Sequence, residues 1–354
     1  MHVLPFDKFS KEKGVFKIAF LGDIMCEDSA LMSVVNDEPF QFIKPFLYST
    51  DYVVGNLETT FSGETSSYPK FSTNDLLADD LSSFVNLVFT ANNHCYDFGT
   101  KGVERTIEIL DEFGINYVGT NPLPKIRRTF DADLKGHKLS FLNYTQFINE
   151  TKKDPIYKGI NTPETPTNLI NFYSKTQAQE TINLAKERSE LVFVGVHQSS
   201  RKSNARELER TSTSEQREFL ASVSNFGADV VIGGHPHYFQ GAEILEEGKI
   251  IVYSLGNFFS TMWNPPHYTT NCGCIMIMSC DGFSNIRYTF LPIATVKNES
   301  NNHYYVIPIA TLEGGNYDWV SVKQRDELLE ELERIRKTLR DCSLIEEELP
   351  IHFF

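Results

Sequence analysis

The chain has no apolar run approaching the roughly 20 residues that a helix needs to cross a bilayer. Its first residues, MHVLPFDKFSKEKGVF, hold no apolar stretch of signal-peptide length. The expectation is a cytoplasmic protein without a membrane span. Basic residues are scarce: Lys and Arg number 33 against 47 Asp and Glu, a formal net charge of -14 at pH 7. That balance argues against nucleic acid as a partner, because binding a phosphate backbone needs a basic surface. A small anionic substrate stays open, since a bound metal supplies positive field locally. Cysteine is sparse, with six residues scattered over 354, which fits reduced thiols better than a disulfide framework. The pair Cys272-Gly-Cys274 raises a metal site, but its surroundings, CGCIMIMSC, read as an apolar strand with structural thiols. There is no repeat of solenoid period and no low-complexity tract.

What is present is the composition of an ordinary globular protein, 41% hydrophobic and 23% charged. Short apolar runs alternate with amphipathic ones. VFKIAFLGD (15–23), DYVVGNLE (51–58) and NLVFTANNH (86–94) read as strands, each closing on a polar cluster. NDLLADDLSSF and TKGVERTIEILDEFG read as helices, the second with Val103, Ile107 and Leu110 on one face and Gly114 as C-cap. Such alternation predicts a parallel sheet flanked by helices. Residues 146–173 are polar, with three prolines and no clear period, and are expected to form a long surface excursion. Beyond them come a helix (SKTQAQETINLAKERSE), a strand (LVFVGVH, 191–197), a capped helix (STSEQREFLASVSNFG) and the strand of GADVVIGGHPHYFQGAEI. Later β-type runs separated by turns predict antiparallel strands. The charged run VKQRDELLEELERIRKTLRDC places Leu328, Leu332, Ile335 and Leu339 on one stripe of a helix that packs on its own domain.

The strand ends carry the chemistry. Strand one closes on Asp23, strand two on Glu58, strand three on Asn92-Asn93-His94, the fourth on His197 and the fifth on His235-Pro-His237. In open α/β sheets, sites are built at the carboxyl ends of strands. Asp, Glu, Asn and His together suit a hard or borderline divalent metal, and His235 and His237 read as ligands. His94, beside Asn93, is placed for proton transfer. Asp97 in HCYDFG either caps the following helix or orients His94.

The blocks IAFLGDIM, VVGNLETTFSG, FTANNHCYDFGTKGVERTIEIL, GADVVIGGHPHYFQGAEI and IVYSLGNFF resemble, in order, the signature blocks of the CapA family of poly-γ-glutamate capsule biosynthesis proteins. That family is related to the calcineurin-like metallophosphatases. The resemblance implies an α/β fold, a four-layer α/β/β/α metallophosphatase-like sandwich with a metal centre at the strand ends. It implies Asp23, Glu58, Asn93, His197, His235 and His237 as ligands of one or two divalent ions (Mn, Fe or Zn), with His94 as the acid. The chain departs from the wider pattern where it has Asp23-Ile24-Met25, since metallophosphatases have Asp-x-His there. It also has HQSSRKSNAR where CapA proteins commonly carry a His-Trp-Gly block.

The expected organisation is an N-terminal extension (1–14), a CapA/metallophosphatase-like domain (15–315) and a C-terminal helix and tail (316–354). The expected function is metal-dependent hydrolysis, with a phosphoester in capsule or polymer metabolism as substrate. The ion would lower the pKa of an attacking water, and His94 would protonate the leaving group. Arg201, Lys202 and Arg206 are candidates for clamping a small-molecule or polymer-fragment anion. The alternative is a non-hydrolytic metal-binding component of a poly-γ-glutamate-like polymer synthesis assembly, which the loss of a ligand at Met25 favours.

Overall fold

The computed structural model describes residues 14–26, 39–66, 69–149, 168–198, 208–261, 270–281 and 285–342. The first part of the chain runs β1 (Val15–Ile24), α1 (Lys44–Leu47), β2 (Tyr52–Leu57), α2 (Leu76–Ser82), β3 (Leu87–Phe89), α3 (Gly99–Glu112) and β4 (Asn116–Val118). The middle runs β5 (Phe130–Leu134), β6 (His137–Thr145), α4 (Lys175–Arg188), β7 (Leu191–His197), α5 (Ser214–Asn225) and β8 (Val230–Gly234). It closes with β9 (Phe239–Ile244), β10 (Ile250–Leu255), β11 (Asn257–Phe259), β12 (Cys272–Asp281), β13 (Ile286–Asn298), β14 (His303–Pro308) and α6 (Val322–Asp341).

These strands form two mixed sheets. One has the order β14-β13-β12-β1-β2-β3-β4, with β11 beside the end of β1, and the other has the order β5-β6-β7-β8-β10-β9. The strands β1 to β4 run parallel, as do β6, β7, β8 and β10, while β12, β13 and β14 are antiparallel. Helices intervene between the sequence-consecutive parallel strands and return the chain to the same edge, whereas β8 and β10 are separated by β9. Short connections join the antiparallel pairs β5–β6, β9–β10 and β13–β14, while β12 pairs antiparallel with the distant β1.

Apolar residues sort by face, as the period-2 geometry of a strand requires. Phe20, Val54, Phe89, Phe141, Phe193 and Val252 fill the space between the sheets. The opposite face of the first sheet buries Leu21, Val53 and Val88 against Leu77 and Leu81 of α2 and Val103, Ile107 and Leu110 of α3. The opposite face of the second sheet buries Val192, Val194 and Val231 against Ile182 of α4 and Leu220 and Val223 of α5. The result is a four-layer α/β/β/α sandwich.

Several elements match the sequence reading, including β7 at its stated bounds. Thr213 caps α5 with a full capping box, its side chain accepting from Gln216 N. The stripe of α6 is buried, with Ile335 and Leu339 against the inter-sheet core and Leu328 and Leu332 against β13 and β14 residues. Arg334 of α6 donates to Phe239 O at 3.0 Å, which ties the helix to the strand that follows His237. Cys272 and Cys274 are buried thiols on β12, and burial pushes both well above the ordinary range.

The described ends of the segment 146–173 are not a surface excursion. Residues 150–167 lie outside the described set, but the flanks on both sides are buried. Phe147, Ile148, Leu169 and Ile170 are all core residues. Their polar neighbours conceal four apolar side chains with no period to reveal them. No helix among the described residues is long and apolar enough to cross a membrane.

Gly22 marks a very close approach of two backbones. A Cβ there would stand 1.9 Å from Gly256 O, where β1 meets the turn between β10 and β11. Backbone cannot yield as a side chain can, so Gly22→Ala is expected to destabilise by at least ~1–3 kcal/mol. Chemical denaturation of the two proteins checks this, and an unchanged midpoint would rule out the tight crossing.

Candidate metal centre

The carboxyl ends of the parallel strands in both sheets converge on one seam. The first sheet brings Asp23 near the end of β1, Glu58 just after β2, and Asn93 and His94 in the loop after β3. The second brings His197 as the last residue of β7, and His235 and His237 directly after β8. All seven are buried, Glu58 completely. Sheet register sets the partners. Asp23 stands opposite Asn56 on β2 and Asn257 on β11, and His197 stands opposite Gly234.

Two overlapping groups have ligand atoms within 4.8 Å of one another: Glu58, His197 and His235 in one, and Asp23, Glu58 and His237 in the other. Glu58 belongs to both. His197 Nε2 lies 3.3 Å from Glu58 Oε1, and His237 Nδ1 lies 3.4 Å from Asp23 Oδ2. Asn56 Nδ2 donates to Asp23 Oδ1 at 2.7 Å, and His237 Nδ1 stands 3.0 Å from Asn257 Oδ1. These amides hold their partners in orientation and leave Asp23 Oδ2 for another use.

The donor set fits a divalent cation. Asp23 Oδ2, Asn93 Oδ1 and both ring nitrogens of His197 are buried with no hydrogen-bond partner among the described residues. Such groups cost ~1–3 kcal/mol each when left unsatisfied, and a bound cation removes that cost. Burial pushes His197 down to about 3, so its imidazole is neutral near pH 7 and keeps a lone pair to donate. Burial raises the Asp23 carboxyl, but the neighbouring His237 and His197 rings and the Asn56 amide outweigh it. The carboxyl is held below its ordinary value. His235 adopts φ 91°, a left-handed conformation that a non-glycine residue holds only where its surroundings enforce it. The ring of Phe147 packs edge-on against it at 4.9 Å.

His94 is built differently. Its Nδ1 donates to Asp97 Oδ2 at 2.7 Å, and Phe71 N donates to the same oxygen at 2.8 Å. Asp97 therefore faces His94 rather than capping α3, whose N-cap is Phe98 with no side-chain bond. Phe71 stacks edge-on against the His94 ring at 4.5 Å. Asn149, which no local pattern singles out, approaches both ring nitrogens of His94, at 3.3 and 3.4 Å. Asn56, Asn92 and Asn257 also join the site, and their signal in the sequence is a polar amide at the end of an apolar run. Met25 is buried, and its N–H donates to Phe259 O. Arg201, Lys202 and Arg206 lie outside the described residues. Among the described residues, no candidate metal group contains a cysteine.

Residues 17–262 match the sequence profile of the family described as "Bacterial capsule synthesis protein PGA_cap". The chain belongs to this family. It is 29% identical over 271 residues to the "Capsule biosynthesis protein CapA" of Bacillus anthracis, a match covering 72% of this chain and 62% of that protein. It is 27% identical over 267 residues to the "PGA biosynthesis protein CapA" of Bacillus subtilis (strain 168), covering 70% and 64%. The match thus spans less than two thirds of either capsule protein. Among solved structures, a hypothetical protein from Thermus thermophilus is similar at 16% identity, with a TM-score of 0.46, covering 78% of this chain and 99% of that one.

Proposed function

We propose that this PGA_cap family member is a metal-dependent hydrolase of the metallophosphatase superfamily, acting on a phosphoester in capsule or polymer metabolism. The observation that carries this reading is the pair of buried three-residue groups sharing Glu58, with a buried His94–Asp97 pair beside them. Asp23, Glu58, Asn93, His197, His235 and His237 would hold one or two divalent ions, Mn, Fe or Zn by donor chemistry. A divalent ion supplies Lewis acidity and lowers the pKa of a bound water toward neutrality.

The remaining chemistry belongs to the protein. Asp97 holds the Nδ1 proton of His94, which leaves Nε2 as the atom that delivers a proton to a leaving oxygen. Asn56 fixes Asp23 so that its second oxygen stays directed away from the amide. Apolar rings of Phe71 and Phe147 close the flanks of the histidines and keep competing water from them. A substrate anion would meet Arg201, Lys202 and Arg206 from the segment after His197.

A second reading, a non-hydrolytic component of a capsule-polymer synthesis assembly, is favoured by Met25, a thioether two residues after Asp23 and a poor partner for hard cations. Assays of the Mn²⁺- or Zn²⁺-loaded protein on phosphomonoesters, phosphodiesters and capsule-type amides separate the two. Turnover of a phosphoester supports the hydrolase. Metal-loaded protein inert on every class would support the assembly component.

A further inference from the structure

An asparagine binds a metal through its amide oxygen only, because the NH₂ end has no lone pair to offer. A ligand role for Asn93 therefore depends on which end of its amide faces the histidines and carboxylates, and something must fix that choice. The structure assigns this to Asn149. Asn93 Nδ2 donates to Asn149 Oδ1 at 3.3 Å, while Asn93 Oδ1 is buried with no hydrogen-bond partner among the described residues. Rotating the amide by half a turn would set two oxygens against each other.

The seating of Asn149 is itself determined. Its backbone N–H donates to Asn93 O at 2.8 Å, and Gln146 N, three residues earlier, donates to His197 O at 3.0 Å. The strip 146–149 thus bridges the loop after β3 in one sheet and the end of β7 in the other. Phe147 and Ile148 anchor it by burial. Two backbone bonds and two apolar side chains position Asn149, and its amide then orients Asn93 and touches His94.

We propose that Asn149 is a positioning residue that sets the amide of Asn93 for metal binding; this rests on Asn93 being a ligand. Partners that orient a metal ligand typically affect affinity by ~10–100-fold when removed. Asn149→Ala should weaken Mn²⁺ binding by ~10–100-fold in calorimetric titration of the full chain. The decisive arm uses Asn93→Asp as background. A carboxylate offers an oxygen at both ends and has no orientation to fix, so adding Asn149→Ala there should change Mn²⁺ affinity by less than about twofold. A merely structural loss would weaken both backgrounds alike and would overturn the proposal. So would an Asn149→Ala protein that binds Mn²⁺ like the parent. If the alanine variant aggregates, Asn149→Ser, too short to reach Asn93 Nδ2, repeats both arms. A parent protein that binds no Mn²⁺ would overturn the metal reading and this inference together, whereas unequal outcomes in the two variants bear on Asn149 alone.

Discussion

Replacing His94 with alanine is expected to lower turnover of a phosphoester with a poor leaving group by ~10²–10⁴-fold, the usual contribution of a positioned general acid. Metal content and fold should stay those of the parent, because His94 is in neither three-residue group. The loss should shrink on a nitrophenyl ester, whose leaving oxygen needs little protonation. Steady-state kinetics on both substrates, beside elemental analysis, checks the pattern. Asp97→Asn gives a companion result: its amide oxygen can still accept from both His94 Nδ1 and Phe71 N, but the negative charge beside the imidazole is gone, so turnover of the poor-leaving-group ester should fall with metal content unchanged. Equal activity of parent and His94→Ala on both substrates would remove His94 from the mechanism.

The second large effect concerns Glu58. Both three-residue groups contain it, whereas His235 belongs to one and His237 to the other. Glu58→Ala should therefore strip nearly all metal, while His235→Ala and His237→Ala should each lose a part. A carboxylate at zero exposure is costly to bury without a cation, so Glu58→Gln should keep the apo fold stable while still losing metal. Metal per chain by elemental analysis, with thermal unfolding of the apo proteins, reads both. Full metal retention in Glu58→Ala would contradict a shared ligand.

Much of this site is legible in the sequence because each candidate ligand sits at a break in hydropathy. A strand such as LVFVGVH must bury its apolar residues, so the polar residue that ends it, His197, stands out. The same contrast exposes Asp23, Glu58 and His235. Other parts are hidden for physical reasons. β4 has three residues, too few to show a period, and β5, with the sequence FDADL, carries two aspartates on its outer face. Asn149 lies in a polar stretch and owes its place to bonds with Asn93, 56 positions earlier, which no local pattern encodes. The choice between the two roles of Asp97 likewise needs coordinates, since a helix cap and a histidine partner have the same spacing from α3.

Elemental analysis of the purified full chain, after dialysis against Mn²⁺ and Zn²⁺ and removal of free ions, tests most directly whether the buried strand ends form a metal site. One to two equivalents per chain are expected, lost on replacing Glu58. A parent protein holding no more metal than its Glu58→Ala variant would contradict a metal centre at this seam.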